Sequence, residues 1–170
     1  MWVAIGLLVI VGVYLIAIFN RLVRYRNAAD NALSQIEVQL QRRYDLIGNL
    51  QSVAERFIQH ERETLTEIAR LRRDIGSVGL LQDFSKVSQV NQQLSTLLAV
   101  FSARVEAYPV LKTDNVLASL QEELKSTENR VAFARQHYND AVNVFNDALE
   151  VFPNYLLGNL LGWQEKPFWR

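Results

Sequence analysis

Few side chains in this sequence could bind a metal or attack a substrate, because it contains two histidines and no cysteine. His60 and Glu61 open the stretch HERET, which begins like the zinc-binding motif HExxH. That motif needs a second histidine one helical turn later, and Thr64 occupies its position. His137 stands without a set of partner residues, which is typical of a structural histidine. The sequence therefore predicts no metal, no cofactor and no catalytic residue.

A dense run of polar residues, from Glu128 to Asp140, is the other group that could do chemistry. Glu128 and Arg135 share one face of a helix, where carboxylates and guanidiniums can pair with a neighbouring helix. We interpret the run as a network of ion pairs between helices or between subunits. A solvated face is the simpler alternative, since exposed pairs contribute little, and recognition of a client protein is another. The candidate network consists of Arg42, Arg43, Asp45, Glu128, Arg130 and Arg135.

The N-terminal segment must position everything that follows. Trp2 to Phe19 carries no charge, and as a helix it spans ~27 Å, against ~30 Å for the hydrocarbon core of a bilayer. A cleaved signal peptide is the alternative, but no Lys or Arg precedes the segment and no clear cleavage site follows it. We predict an uncleaved anchor over residues 1–20. Its membrane-facing residues include Trp2, Leu8, Val11, Tyr14 and Phe19.

Three arginines follow the anchor directly, namely Arg21, Arg24 and Arg26. The positive-inside rule then predicts that the N-terminus lies outside and that the rest of the chain is cytoplasmic. The same side chains could also contact anionic lipid headgroups.

The charge of the whole sequence is balanced, with 18 basic and 18 acidic residues. All of them lie after the anchor, so the rest of the chain has no overall field of either sign. Nucleic-acid binding needs a basic excess on one face and is therefore disfavoured.

Apolar spacing after the anchor predicts an all-α domain over residues 21–152. A regular alternation of threes and fours from Leu117 to Phe152 indicates one long helix, capped by Asp114 and ended before Pro153. A second apolar series begins at Phe84, and two further series lie on either side of Gly48. We expect an antiparallel, up-and-down bundle of about four helices.

Gly48 and Asn49 interrupt this pattern. Glycine suits the C-terminal cap of one helix and asparagine the N-terminal cap of the next, so we predict a reversal, with a kink as the alternative. After a reversal, the C-terminal tail would end close to the membrane. With only a kink, the tail would lie tens of ångströms from lipid.

Four stretches of the sequence are specific in combination, namely NALSQIEVQLQRRYDLIGNL, VEAYPVLKTDNVLASLQEEL, STENRVAFARQHYNDAVNVFNDALEVFPN and GWQEKPFW. Together they resemble the LemA family of bacterial membrane proteins. The resemblance covers nearly the whole chain and implies one N-terminal membrane helix, an antiparallel helical bundle on the cytoplasmic side, and no established catalytic activity. The chain departs from the family at Gly48, where proline is common, and at Leu33, where tryptophan is usual.

The C-terminal tail, residues 153–170, is unusually apolar for a chain terminus. It could fold back on its own bundle, form a subunit interface, or lie at the membrane surface. The candidate interface residues are Phe152, Trp163, Phe168 and Trp169.

From these features we expect a membrane-anchored scaffold that assembles with itself at the bacterial inner membrane and has no catalytic activity. The expected partners are the lipid bilayer and further copies of the chain. The alternative is a monomeric adaptor or sensor that presents its polar face to a client membrane protein, such as a protease or a transporter.

Overall fold

The computed structural model describes residues 1–57, 66, 67, 69, 70, 73, 84–106 and 114–169. Across these residues the chain forms four helices and no strand: α1 (Trp2–Phe57), α2 (Phe84–Val105), α3 (Asn115–Glu150) and α4 (Asn154–Leu160). The all-α prediction is confirmed. The up-and-down arrangement of four helices is not, since most of the predicted second helix, with the HERET stretch, lies outside the described residues.

Helix α3 begins and ends as the sequence predicts. The Asp114 carboxylate accepts hydrogen bonds from the backbone N–H groups of Val116 and Leu117, both at 2.9 Å, which satisfies two donors that no helical carbonyl can reach. The helix ends at Glu150, before Pro153. The buried residues Leu117, Leu124, Val131, Tyr138 and Phe145 recur every seven residues along it.

The predicted reversal at Gly48 and Asn49 is wrong, because α1 continues through both residues to Phe57. A kink there is not confirmed either. The neighbours Ile47 and Leu50 are 0% and 1% exposed. Burial stabilises each by about 1.5–3 kcal/mol, whereas a glycine within a helix costs only about 1 kcal/mol. The free energy gained by burying Ile47 and Leu50 on one helix therefore exceeds the cost of keeping Gly48 within it.

One compact unit combines residues 1–35 with residues 135–168. It contains the start of α1, the end of α3, α4 and most of the tail. Its buried centre consists of Ile18, Leu22, Phe145 and Leu149, and the partly buried Tyr25, Ala148, Leu157 and Trp163 pack against it.

The other unit comprises the described residues between 36 and 134, together with Trp169. Side chains of α1, α2 and α3 form its core, and the most fully buried are Ile36, Leu40, Ile47, Leu50, Leu94, Phe101 and Leu117. The indole of Trp169, only 3% exposed, stacks on Phe84 with ring centroids 4.7 Å apart.

Candidate functional site

A buried arginine is the most unusual polar feature of the residue 36–134 unit. Arg43 lies on α1 between Leu40 and Ile47 and is 0% exposed. Its guanidinium donates hydrogen bonds to Asn91 Oδ1 at 2.8 Å and to Ser95 Oγ at 2.7 Å, both on α2. Such charge-assisted bonds are stronger than neutral ones. Arg43 therefore ties α1 to α2 through polar contacts within an otherwise apolar interior.

Glu128 on α3 supplies the nearest negative charge, 3.6 Å from an Arg43 nitrogen. Burial lowers the pKa of the Arg43 guanidinium, and the charge of Glu128 acts in the opposite direction. Because Glu128 is half exposed, it compensates the buried cation only in part. Arg43 Nε has no hydrogen-bond partner among the described residues.

A cavity of about 400 Å³ lies beside Arg43. Its described lining includes Ser95, Leu98, Gln121, Leu124 and Glu128. Ser95 Oγ donates to the backbone oxygen of Asn91 at 3.1 Å and accepts from Arg43, so neither of its described partners is a base that could activate it as a nucleophile. The described part of the cavity can accommodate a side chain or small ligand, and it contains no acid–base pair that could drive a reaction.

The structure separates the other members of the predicted polar network. Arg42 faces Glu123 at 3.8 Å, with both side chains about half exposed. Asp45 accepts a hydrogen bond from Gln41 of the same helix at 3.0 Å. Within the described residues, no ion pair is recorded for the two remaining arginines, Arg130 and Arg135. Of the predicted set, only Arg43 and Glu128 are brought together.

The predicted anchor residues lie on the exposed surface of α1. Trp2 is 82% exposed, Leu8 72% and Phe19 39%, and Val11 and Tyr14 are also exposed. Among the described residues, α1 is the one helix long and apolar enough to cross a membrane. Arg21, Arg24 and Arg26 lie on the same helix, directly after its apolar segment, and are exposed.

Trp163 connects the tail to the end of the anchor. Its ring lies 6.1 Å from that of Phe19 and 6.4 Å from that of Phe145, between centroids. The guanidinium carbon of Arg26 lies 5.4 Å from the centre of the indole, which is a cation–π contact. The expectation that an unbroken helix at Gly48 would leave the tail far from the anchor is therefore wrong.

The turn that brings Trp163 to this position ends helix α4. Trp163 N–H donates to Gly158 O at 3.0 Å and Gly162 N–H to Asn159 O at 3.1 Å, which is the hydrogen-bond pattern of a Schellman cap. Gly162 has φ +64°, a conformation that glycine adopts without steric cost.

Lys166 holds the next part of the tail. Its backbone N–H and carbonyl make reciprocal hydrogen bonds, both 2.9 Å, with the side-chain amide of Asn146. Its ammonium lies 2.6 Å from Asp30 Oδ1. The hydroxyl of Tyr138 donates to the carbonyl of Pro167 at 2.9 Å. Of the predicted tail residues, Trp163 and Trp169 pack against the chain itself, whereas Phe152 and Phe168 are 77% and 41% exposed.

A family model for the LemA family matches residues 32–170. The chain belongs to the LemA family. The match covers the end of the tail and the helices from residue 32 onward, but not the first part of α1, and it confirms the resemblance seen in the sequence. LemA proteins are not a known enzyme family.

A curated relative is similar to this LemA chain over much of its length. It is the protein LemA of Metamycoplasma hominis, which is 23% identical over 133 residues. The alignment covers 78% of this chain and 60% of the relative, so the chain spans less than two thirds of that protein.

Sequence reasoning missed several polar partners in this LemA chain. Asn91 and Ser95 were not predicted to bind Arg43, and Glu123 was not predicted to face Arg42. One signal was available for Arg43, which stands three residues after Leu40 and four before Ile47 and so occupies a core position of α1.

Proposed function

We propose that this LemA protein is a single-pass membrane scaffold without catalytic activity, which assembles with copies of itself at the bacterial inner membrane. Its N-terminus lies outside, and its helices after the anchor lie in the cytoplasm. The arginines that follow the anchor support this orientation.

The observation that carries the proposal is the way the anchor joins the folded chain. Helix α1 continues from the exposed apolar segment into a packed core at Ile18 and Leu22, with no linker between them. Trp163 of the tail packs against the same junction. The unit formed by residues 1–35 and 135–168 is thus fixed to the membrane helix. A fixed position at the bilayer suits a scaffold.

An exposed aromatic residue is the candidate contact for self-assembly. Phe133 on α3 is 72% exposed, in the unit formed by residues 36–134. Exposed aromatic side chains are enriched at the centres of protein interfaces. We expect Phe133 to contact a second copy.

The mass of the intact protein in mild detergent tests self-assembly. We expect one defined species at a multiple of 19.5 kDa. Phe133→Asp should shift it toward the monomer, whereas Asn129→Asp, which adds the same charge at an exposed position of the same helix, should not. A monomeric wild-type protein would contradict the proposal.

Orientation has its own test, since the chain has no native cysteine. A cysteine replacing the exposed Ser126 should resist a membrane-impermeant thiol reagent in intact cells and react after lysis. Reaction before lysis would reverse the proposed topology.

The cavity beside Arg43 favours a second candidate function, that of a monomeric adaptor or sensor. Glu122, Lys125 and Glu128 line this cavity and are themselves exposed, so a side chain of a client membrane protein could enter beside them. A protease or a transporter would be such a client. The adaptor would stay monomeric in detergent and co-purify with the client. Lys125→Glu would then reduce the amount of client that co-purifies, while the mass of the protein itself in detergent would stay that of a monomer.

A further inference from the structure

The chain after α3 forms a hairpin whose tip carries exposed apolar side chains. No charged residue occurs between Val151 and Gly162. Leu160 is 81% exposed and Phe152 77%. Four more large apolar residues of the tip are at least 41% exposed, namely Val151, Tyr155, Leu156 and Leu161. An uncharged apolar surface of this kind marks a contact with another apolar phase.

Helix α3 approaches this tip while running toward the anchor. Tyr138 lies near the charge of Asp30, which contributes to raising the pKa of the Tyr138 hydroxyl after the larger effect of burial. Farther along α3, Leu149 packs with Ile18 and Leu22. Higher residue numbers on α3 therefore correspond to lower numbers on α1. The residues that follow Leu149 reach the level of the last turn of the anchor.

The returning arm of the hairpin runs in the opposite direction. Trp163 contacts Phe19 and Arg26, and Lys166, farther along, contacts Asp30. Helix α3 thus runs toward the level of the anchor, and the returning arm runs away from it. The tip between them is the part of the hairpin nearest to the bilayer.

The level along α1 that the tip reaches identifies the partner of the tip. Phe19 is the last apolar residue of the N-terminal segment, and Arg21, two residues later, is the first cation. This is the level at which hydrocarbon gives way to lipid headgroups, where tryptophan and tyrosine concentrate in membrane proteins. An uncharged segment with a packed side and an apolar exposed side lies in that layer without spanning it.

We propose that residues 151–161 are a second membrane contact, which inserts Phe152, Leu156 and Leu160 into the boundary between headgroups and acyl chains, on the side of the anchor that carries the arginines. The inference rests on the proposed function, because it requires the anchor to lie in a bilayer. With two contacts, the unit that contains the tail is held against the membrane surface and cannot tilt freely about one helix.

Spin-label accessibility of the full chain tests this contact. Single cysteines would replace Phe152 and Leu160 in the cysteine-free protein, reconstituted in vesicles of phosphatidylcholine and phosphatidylglycerol. Glu165→Cys, exposed on the returning arm, is the nearby control, and Leu8→Cys reports on the anchor. Collisions with oxygen measure exposure to lipid, and collisions with a water-soluble nickel chelate measure exposure to water.

We expect the labels at Phe152 and Leu160 to resemble that at Leu8, with nickel collisions several-fold below those at Glu165 and high oxygen collisions. Nickel collisions as frequent as at Glu165, with Leu8 protected, would overturn the second contact and leave the anchor intact. Protection from both nickel and oxygen would also overturn it, since a protein would then cover the tip. Nickel access at Leu8 would overturn the proposed anchor itself.

Discussion

The ammonium of Lys166 lies 2.6 Å from a carboxylate oxygen of Asp30, although 136 residues separate them in the sequence. Asp30 lies on α1, past the anchor, and Lys166 lies in the returning arm of the C-terminal hairpin. This contact fixes the tail to α1, the helix whose N-terminal part is long and apolar enough to cross a membrane. Lys166 is 23% exposed and Asp30 48%, so solvent screens the pair only in part.

A double-mutant cycle should detect this coupling. Lys166→Met and Asp30→Asn each remove one charge, and we expect a coupling of about 1 kcal/mol, at the upper end for a partly exposed pair. Urea unfolding in detergent measures it. The control is the more exposed pair of Arg42 and Glu123, which is 3.8 Å apart and should couple more weakly. Equal coupling energies in the two cycles would show that the pair of Lys166 and Asp30 stabilises the fold no more than an ordinary exposed ion pair does.

Arg43 and Arg42 are neighbours that should respond very differently to truncation. Arg43→Ala leaves Asn91 and Ser95 without their donor and opens a cavity, so we expect a loss of about 3 kcal/mol in the free energy of unfolding. Arg42→Ala removes one exposed pair and should cost less than about 1 kcal/mol. Thermal unfolding of both variants compares them. A small loss for Arg43→Ala would mean that the guanidinium is not essential to this core.

The apolar series of α1 shows what the sequence could predict and where it misled. The sequence predicts two apolar series that meet in a reversal at Gly48, whereas Leu40, Ile47 and Leu50 are all buried along one unbroken helix. The reversal was wrong because one glycine changes helix stability by about 1 kcal/mol, less than the burial of its neighbours contributes. The cap predicted at Asp114 was correct, since its carboxylate accepts hydrogen bonds from the backbone N–H groups of Val116 and Leu117.

The buried arginine site could be predicted only in part. Arg43 occupies a core position by spacing, but its partners Asn91 and Ser95 lie 48 and 52 residues away in the sequence. No periodicity within one helix identifies a contact of that range. The tail posed the same difficulty, since its aromatic residues suit the protein's own core, a subunit interface or the membrane surface, and the contacts of Trp163 with Phe19 and Phe145 lie far apart in the sequence.

Gly162 should tolerate asparagine better than alanine. Its φ of +64° is strained for residues with a side chain, while open space surrounds the position that a Cβ would take. We expect Gly162→Ala to lower the free energy of unfolding by about 1 kcal/mol, and Gly162→Asn by less, because asparagine visits this conformation more readily. The rate at which a protease cleaves the tail should rise more for Gly162→Ala than for Gly162→Asn. Equal losses would indicate crowding rather than backbone strain.

Two buried tyrosines give opposite predictions for removal of the hydroxyl. Tyr44 Oη is buried with no hydrogen-bond partner among the described residues, whereas Tyr138 donates to Pro167 at 2.9 Å. At neutral pH, Tyr44→Phe should leave the stability unchanged or increase it, and Tyr138→Phe should cost about 1 kcal/mol. Thermal unfolding of the two variants distinguishes them. A loss for Tyr44→Phe would reveal a partner for its hydroxyl.

The same two residues make the stability depend on pH in alkaline solution. Burial raises the pKa of Tyr44 above its ordinary value, and it also raises the pKa of Tyr138, with a smaller contribution from Asp30. Above about pH 10 the unfolded chain loses these protons while the folded chain keeps them, so the free energy of unfolding falls as the pH rises. Tyr44→Phe removes its share of that fall. The advantage of Tyr44→Phe over wild type should therefore grow between pH 7 and strongly alkaline solution, and a difference that is constant with pH would contradict the burial of this hydroxyl.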